Sequence, residues 1–229
     1  MNRRTAMTAA ATAALVFLTS GAAVAAPAQD ADGTAQPCGS VRLSGELPAP
    51  PAGRAVRQQI TIGPDCKLEP GPVEYVAASG AVRPGTSPRA TPAAGAEAGH
   101  QVRSWNEMFD CCTIRMTGLY TTSSWTVADA RVTTASTTPT QQWNREPWDA
   151  GWSLKSASGK DDCTTDCPAV NSEAHADFTY RGIFDPTGSW YANTHHSYVR
   201  LNADLTATCT FDVELKHSFV GWNWRRGCE

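Results

Sequence analysis

The sequence predicts a mainly β protein, an antiparallel β-sandwich or barrel-like domain stapled by disulfides, with at most one short helix. Three observations predict it. Residues 206–219 alternate apolar and polar side chains, with Ala207, Cys209, Phe211, Val213 and Leu215 on one side, the signature of a half-buried strand. Residues 101–229 are rich in Thr, Val, Trp and Tyr, which favour strands. Eight cysteines, an even number, follow an export-type N-terminus, and that combination reads as a disulfide framework.

The export signal comes first along the chain. Arg3 and Arg4 precede an apolar run over 9–18 and small residues at 23–25, the pattern of a signal peptide spanning residues 1–25. That run is shorter than the ~20 residues a bilayer span needs, so a secreted, extracellular chain without a membrane span is expected. Arginine outnumbers lysine 15 to 4 and alanine is abundant, a composition expected of a GC-rich bacterial genome. With 18% charged residues and a formal charge of -3, the chain is not a coiled coil, a disordered polyampholyte or a basic nucleic-acid binder.

Residues 26–76 read as a small cysteine-closed N-terminal segment with little core of its own, strand-like at 59–62, that either docks on the main domain or is removed as a pro-segment. Cys38 and Cys66 stand alone there and are expected to pair. Residues 77–100 carry Pro84, Pro88, Pro92, four glycines and no aromatic residue, so they read as a flexible linker. Residues 101–229 form the main antiparallel β domain, without an internal repeat.

Within that domain, Ser104 and Glu107 have capping-box spacing, and Trp105, Met108, Phe109 and Cys112 share one helical face, which predicts a short helix. Strands are expected at 114–122 and 124–134. The best-specified part is a meander of 173–184, 190–201 and 206–215. The run Asp185-Pro186-Thr187-Gly188 suits a type I turn followed by a left-handed glycine, a three-residue hairpin loop. A four-residue loop at 202–205 then places Leu201 opposite Thr206. In that register Phe178, His196 and Phe211 are buried, while Thr179, His195 and Asp212 share the opposite face.

Cross-strand neighbours lie ~5 Å apart, so the register predicts a polar site in which His195 is oriented by Asp212, with Asp177 and a hydroxyl from Ser197 or Thr179 nearby. Charges and hydroxyls are also what the wet side of any antiparallel sheet carries. Trp143, Trp148 and Trp152 form a second candidate, because exposed indoles stack on sugar rings; packed inward, the same rings would fill the core. Cys209 and Cys228 are expected to bridge through a chain reversal near 216–221. Adjacent cysteines bridge each other only through a strained ring, so Cys111 and Cys112 are expected to cross to Cys163 and Cys167. Closure of the C-x3-C pair on itself stays open. Neither these cysteines nor Asp161, Asp162 and Asp166 have the spacing of a zinc or calcium site, and no metal or cofactor is expected. The function these features predict is an extracellular binding or interaction module directed at polysaccharide or another secreted protein. The alternative is a secreted hydrolase built on His195 and Asp212.

Overall fold

The computed structural model describes residues 37–79, 99–145 and 151–229. The signal peptide, most of the 77–100 linker and Trp148 lie outside the described residues. In chain order the strands are β1 (Pro37–Cys38), β2 (Val41–Leu47), β3 (Arg54–Ile62), β4 (Leu68–Pro70), β5 (Glu74–Ala77), β6 (His100–Phe109) and β7 (Arg115–Ala128). They continue with β8 (Arg131–Trp143), β9 (Trp152–Asp161), β10 (Ala169–Tyr180), β11 (Ala192–Asn202), β12 (Ala207–Leu215), β13 (Ser218–Phe219) and β14 (Asn223–Cys228). Among the described residues a single 3-10 turn, at Pro64–Cys66, interrupts them.

Two large antiparallel sheets result, and β1 with β13 forms a third, two-stranded one. Of the large sheets, one has the order β2-β12-β11-β10-β9; the other runs β4-β3-β14-β6-β7-β8, with β5 also paired to β3. Their inner faces share one core, in which Leu43, Phe178, Phe211 and Val213 of the five-stranded sheet meet Val56, Ile62, Met108, Leu119 and Trp224 of the seven-stranded one. This is the face-to-face arrangement expected when each sheet buries alternate residues.

The described part of the 26–76 segment, from Pro37 onward, is built into both sheets. Its strand β2 forms the edge of one sheet against β12, and β3 lies inside the other against β14. Both carry buried aliphatic residues at alternate positions, so removing them would open both sheets. The helix expected around 104–112 is strand β6, because Val102, Ser104, Asn106 and Met108 are buried at period two between two hydrogen-bonded neighbours. The break expected at residue 123 is also absent. Strand β7 runs through it, and the chain turns instead at Asp129 and Ala130, both left-handed at φ 51 and 57, as a two-residue hairpin loop requires.

Cys38–Cys66 and Cys209–Cys228 form as expected. The second is a link between sheets rather than the staple of a hairpin. After β12 the chain crosses over, pairs briefly as β13 with β1, and enters the seven-stranded sheet as β14 between β3 and β6. Cys163 and Cys167 close on each other. The expected double staple is therefore absent, and Cys111 and Cys112 are free and exposed.

In the meander the strands are where the alternation puts them, and the register is not. Ala176 pairs with His195 and Phe178 with Asn193, while His196, not His195, lies opposite Asp212. Asn193, His195 and Ser197 are consequently buried and His196 faces outward. A shift by an odd number of residues exchanges the two faces of a strand.

Candidate functional site

The constellation expected around His195 does not assemble. His195 and Ser197 point between the sheets, whereas Asp177 and Asp212 belong to the outer face. Burial drives the His195 imidazole down to about 3, so it is neutral. Its Nδ1–H donates to Asn106 Oδ1 at 3.2 Å, and its Nε2 accepts from the Thr117 hydroxyl at 2.9 Å. The orientation of the Asn106 amide follows from its other bonds. Its Nδ2 donates to the carbonyls of His196 and Asp212, and its Oδ1 accepts the Trp224 indole N–H at 2.7 Å. Asn193 donates to Thr117 at 2.9 Å. Hydroxyl, imidazole and amide stand in the order of a nucleophile relay, yet Thr117, His195 and Asn106 are each 0% exposed. No substrate reaches them, and the relay is a polar seam holding the two sheets together.

The tryptophan candidate divides in the same way. Trp152 is buried against Tyr180, and Trp143 packs on Phe178 beneath the Arg145 guanidinium. Neither presents a free ring for a ligand.

A groove lies elsewhere, on the outer face of the seven-stranded sheet. Strand pairing sets Trp105 between Gly227 and Tyr120 in one row, and Glu107 between Arg225 and Gly118 in the next. On the far side of β14, Arg57 and Gln59 extend both rows. A side chain at Gly227 would place its Cβ 1.8 Å from Trp105 Cζ2, so the indole occupies the space that only glycine leaves open. Two depressions of about 500 and 420 Å³ meet along this face and share Trp105 and Glu107. The first is bounded by Arg57, Gln59, Glu74 and Arg225, the second by Tyr120, Thr140 and Gln142.

The polar groups of the groove are held in place. Arg225 Nε donates to Gln59 Oε1 at 3.0 Å while its guanidinium lies over the Phe109 ring at 4.1 Å. Arg57 pairs with Glu74 at 2.8 Å. Glu107 Oε1 accepts from Tyr120 and from Arg115 Nη1. Burial, then the Glu107 carboxylate, pushes the Tyr120 phenol above its ordinary range, so Tyr120 remains a neutral donor. An apolar ring beside fixed donors and acceptors suits a ligand with alternating C–H and O–H faces.

No family model, curated protein or solved structure matches this chain.

The helix expected around 104–112 conceals the groove, because it takes Trp105 and Glu107 off a sheet face. The signal that would have found it is glycine inside strands, at 118 and 227, where a neighbouring group approaches the backbone closely.

Two further surfaces carry chemistry. On the outer face of the five-stranded sheet, the His175 and His196 rings lie 4.5 Å apart. Asp177 there accepts from Ser156, Thr194 and His175. At one end of the sandwich, the 181–191 loop leaves Ile183, Phe184 and Trp190 exposed at 80%, 68% and 51%. Asp185 organises that loop. Its Oδ1 accepts from Thr187 and Gly188, and its Oδ2 from the backbone N–H groups of Trp190 and Tyr191. Burial alone would raise this carboxyl, but the four bonds lower it to about 2 from 3.8. A depressed carboxyl stabilises above its unfolded value and loses that contribution as pH falls through its folded one. Asp185→Asn removes acceptor sites at every pH. Faster cleavage at 181–191 and a red-shifted Trp190 emission are expected at neutral pH, where the unaltered chain is expected to reach the same state only near pH 2. Limited proteolysis and fluorescence measure both; an unchanged cleavage rate would count against the loop's dependence on Asp185.

Proposed function

We propose that this chain is an extracellular binding module that holds polysaccharide across the outer face of its seven-stranded sheet. The observation that carries this reading is Trp105 seated over Gly227 at the junction of two depressions, with Tyr120 beside it and charged and amide groups on both sides. Trp105 and Tyr120 serve as stacking platforms, Arg57 and Arg225 as donors, and Glu107 and Gln59 as groups that fix sugar hydroxyls. An extended polymer fits because the depressions adjoin across the strands instead of enclosing a small molecule. Secretion is proposed from the signal-like N-terminus; three disulfides among the described residues, and no described helix long and apolar enough to cross a membrane, are compatible with it.

Affinity electrophoresis through gels containing neutral and acidic polysaccharides tests the reading. At least one polymer is expected to retard the protein, and Trp105→Ala should weaken that retardation tenfold or more, about 1.4 kcal/mol. Unchanged mobility in every gel would exclude it. Recognition of another secreted protein is a second reading, favoured by the exposed Phe184 and Trp190, since clustered apolar side chains in water mark interaction sites. Trp190→Ser separates the two, because it leaves retardation by polysaccharide intact.

A further inference from the structure

The turn joining β6 to β7 presents two thiols side by side. Cys111 and Cys112 are exposed, lie outside the disulfides, and have sulfurs 3.6 Å apart. Asp110 shapes the turn: its Oδ1 accepts the N–H groups of Cys112 at 2.8 Å and Ile114 at 2.7 Å, and its own N–H donates to the Ile114 carbonyl. Thr113 is left-handed at φ 66, a conformation β-branched residues rarely adopt. Gly221, at φ 89, lies against Cys111, and a Cβ there would come 3.1 Å from Cys111 Cβ. The other six described cysteines are all bonded to one another. The pair is thus an accessible dithiol on a chain otherwise committed to disulfides.

We propose that Cys111 and Cys112 form a thiol–disulfide exchange site, oxidised by low-molecular-weight disulfides to a vicinal disulfide and returned to the dithiol by thiols. In the first step the Cys112 thiolate attacks one sulfur of a disulfide RSSR. A Cys112–SR bond forms, the RS–SR bond breaks, and RS⁻ leaves to take up the proton that Cys112 released. In the second step Cys111 loses its proton and attacks the Cys112 sulfur. The Cys111–Cys112 bond forms and a second RS⁻ leaves, which the Cys111 proton converts to RSH. Two cysteine thiols have then lost two electrons and one RSSR has become two RSH. Burial and the neighbouring Cys112 sulfur, with Asp110 nearby, raise the Cys111 thiol, so it is poorly ionised at neutral pH and attacks once the mixed disulfide is held beside it.

Adjacent Cα atoms are about 3.8 Å apart, whereas ordinary disulfides span about 4.4–6.8 Å. The ring that forms is strained, and a strained, exposed disulfide is more easily reduced than a structural one. The site therefore cycles under conditions that leave Cys38–Cys66 and Cys209–Cys228 intact.

Peptide mapping of the native full chain decides the matter. After mild reduction, incubation with glutathione disulfide, alkylation and trypsin digestion, the peptide 104–115 holds both cysteines. It should have lost the mass of two hydrogens and retain no glutathione. Dithiothreitol should restore it at a concentration at least tenfold below that needed for the other disulfides. Cys111→Ser and Cys112→Ser should each keep a glutathione on the remaining thiol, because no neighbour resolves it. A lasting glutathione adduct on the unaltered chain, two unreacted thiols, or a bond as resistant to dithiothreitol as the others would each overturn the proposal.

Discussion

Asn106→Leu should destabilise the fold by about 2–6 kcal/mol, as two buried donors lose their acceptor at about 1–3 kcal/mol each. Those donors are the Trp224 indole N–H and the His195 Nδ1–H, both bonded to Asn106 Oδ1. Leucine keeps the branching at Cγ and leaves no cavity, so the cost comes from unmade bonds and not from lost volume. Asn106 also reaches across the core to the carbonyls of His196 and Asp212, which makes it the main polar link from β6 to the opposite sheet. Domains of this size are stable by about 5–15 kcal/mol, so the variant should be marginal at 37 °C. Denaturant unfolding measures the loss. His195→Leu in the same background should cost less than the sum of the single changes, since groups sharing one network couple by about 0.5–3 kcal/mol. Strict additivity would show that the seam does not act as a unit.

The same seam sets a pH dependence. His195 titrates near 3 in the folded chain against 6.5 as the reference value, so between these values the unfolded chain binds the extra proton. Stability from the neutral imidazole is fully present above pH 6.5 and is lost as pH falls toward 3, at about 1.4 kcal/mol per pH unit. Depressed carboxyls such as Asp177 and Asp185 add a slope of the same sign only at lower pH. The interval from 6.5 to 5 excludes those carboxyls; His217, also held below 6.5 by burial and by Lys216, keeps a remainder of the slope there, so His195→Gln should reduce it and His195→Gln with His217→Gln should flatten it.

How legible the fold was depends on where the determining contacts lie. The 173–181 and 206–219 alternations identified the strands and their inner faces, because each strand has one apolar row. The register between them was set by loops whose parity the sequence conceals. Gly188 does close the expected turn, with φ 71 and its N–H on the Asp185 carbonyl. The Asp185 carboxylate also gathers Trp190 and Tyr191, so the strand resumes only at Ala192. Leu205 takes the left-handed position that usually asks for glycine, making a three-residue loop where four were expected. Hydrophobicity did not correct the error, since the inward row of β11 is Asn193, His195 and Ser197. Two of these are satisfied by Thr117 and Asn106, far away in sequence. The disulfides followed the same logic. Isolation and strand position found Cys38–Cys66 and Cys209–Cys228, while the avoidance of a strained ring at Cys111 and Cys112 gave no reason to send them to Cys163 and Cys167.

Gly227→Val should abolish polysaccharide retardation while leaving the sandwich folded. Valine suits a strand interior, so the backbone of β14 tolerates it between β3 and β6. The new side chain cannot share space with the indole, because its Cβ alone would sit 1.8 Å from Trp105 Cζ2. Trp105 must swing off the face, and the junction of the two depressions loses its platform. A well-packed aromatic anchor is worth about 2 kcal/mol or more in binding, a loss of about thirtyfold or greater. Gly118→Ala at the neighbouring cradle meets the Tyr120 ring at 3.1 Å, so a smaller displacement and a weaker loss are expected. Circular dichroism and thermal melting establish that the variants fold, and affinity electrophoresis ranks them. Full retardation of a folded Gly227→Val chain would move the binding surface away from Trp105, to the 181–191 loop or the His175–His196 face. Graded loss from Gly118→Ala to Gly227→Val would tie affinity to how far each ring is pushed from its glycine.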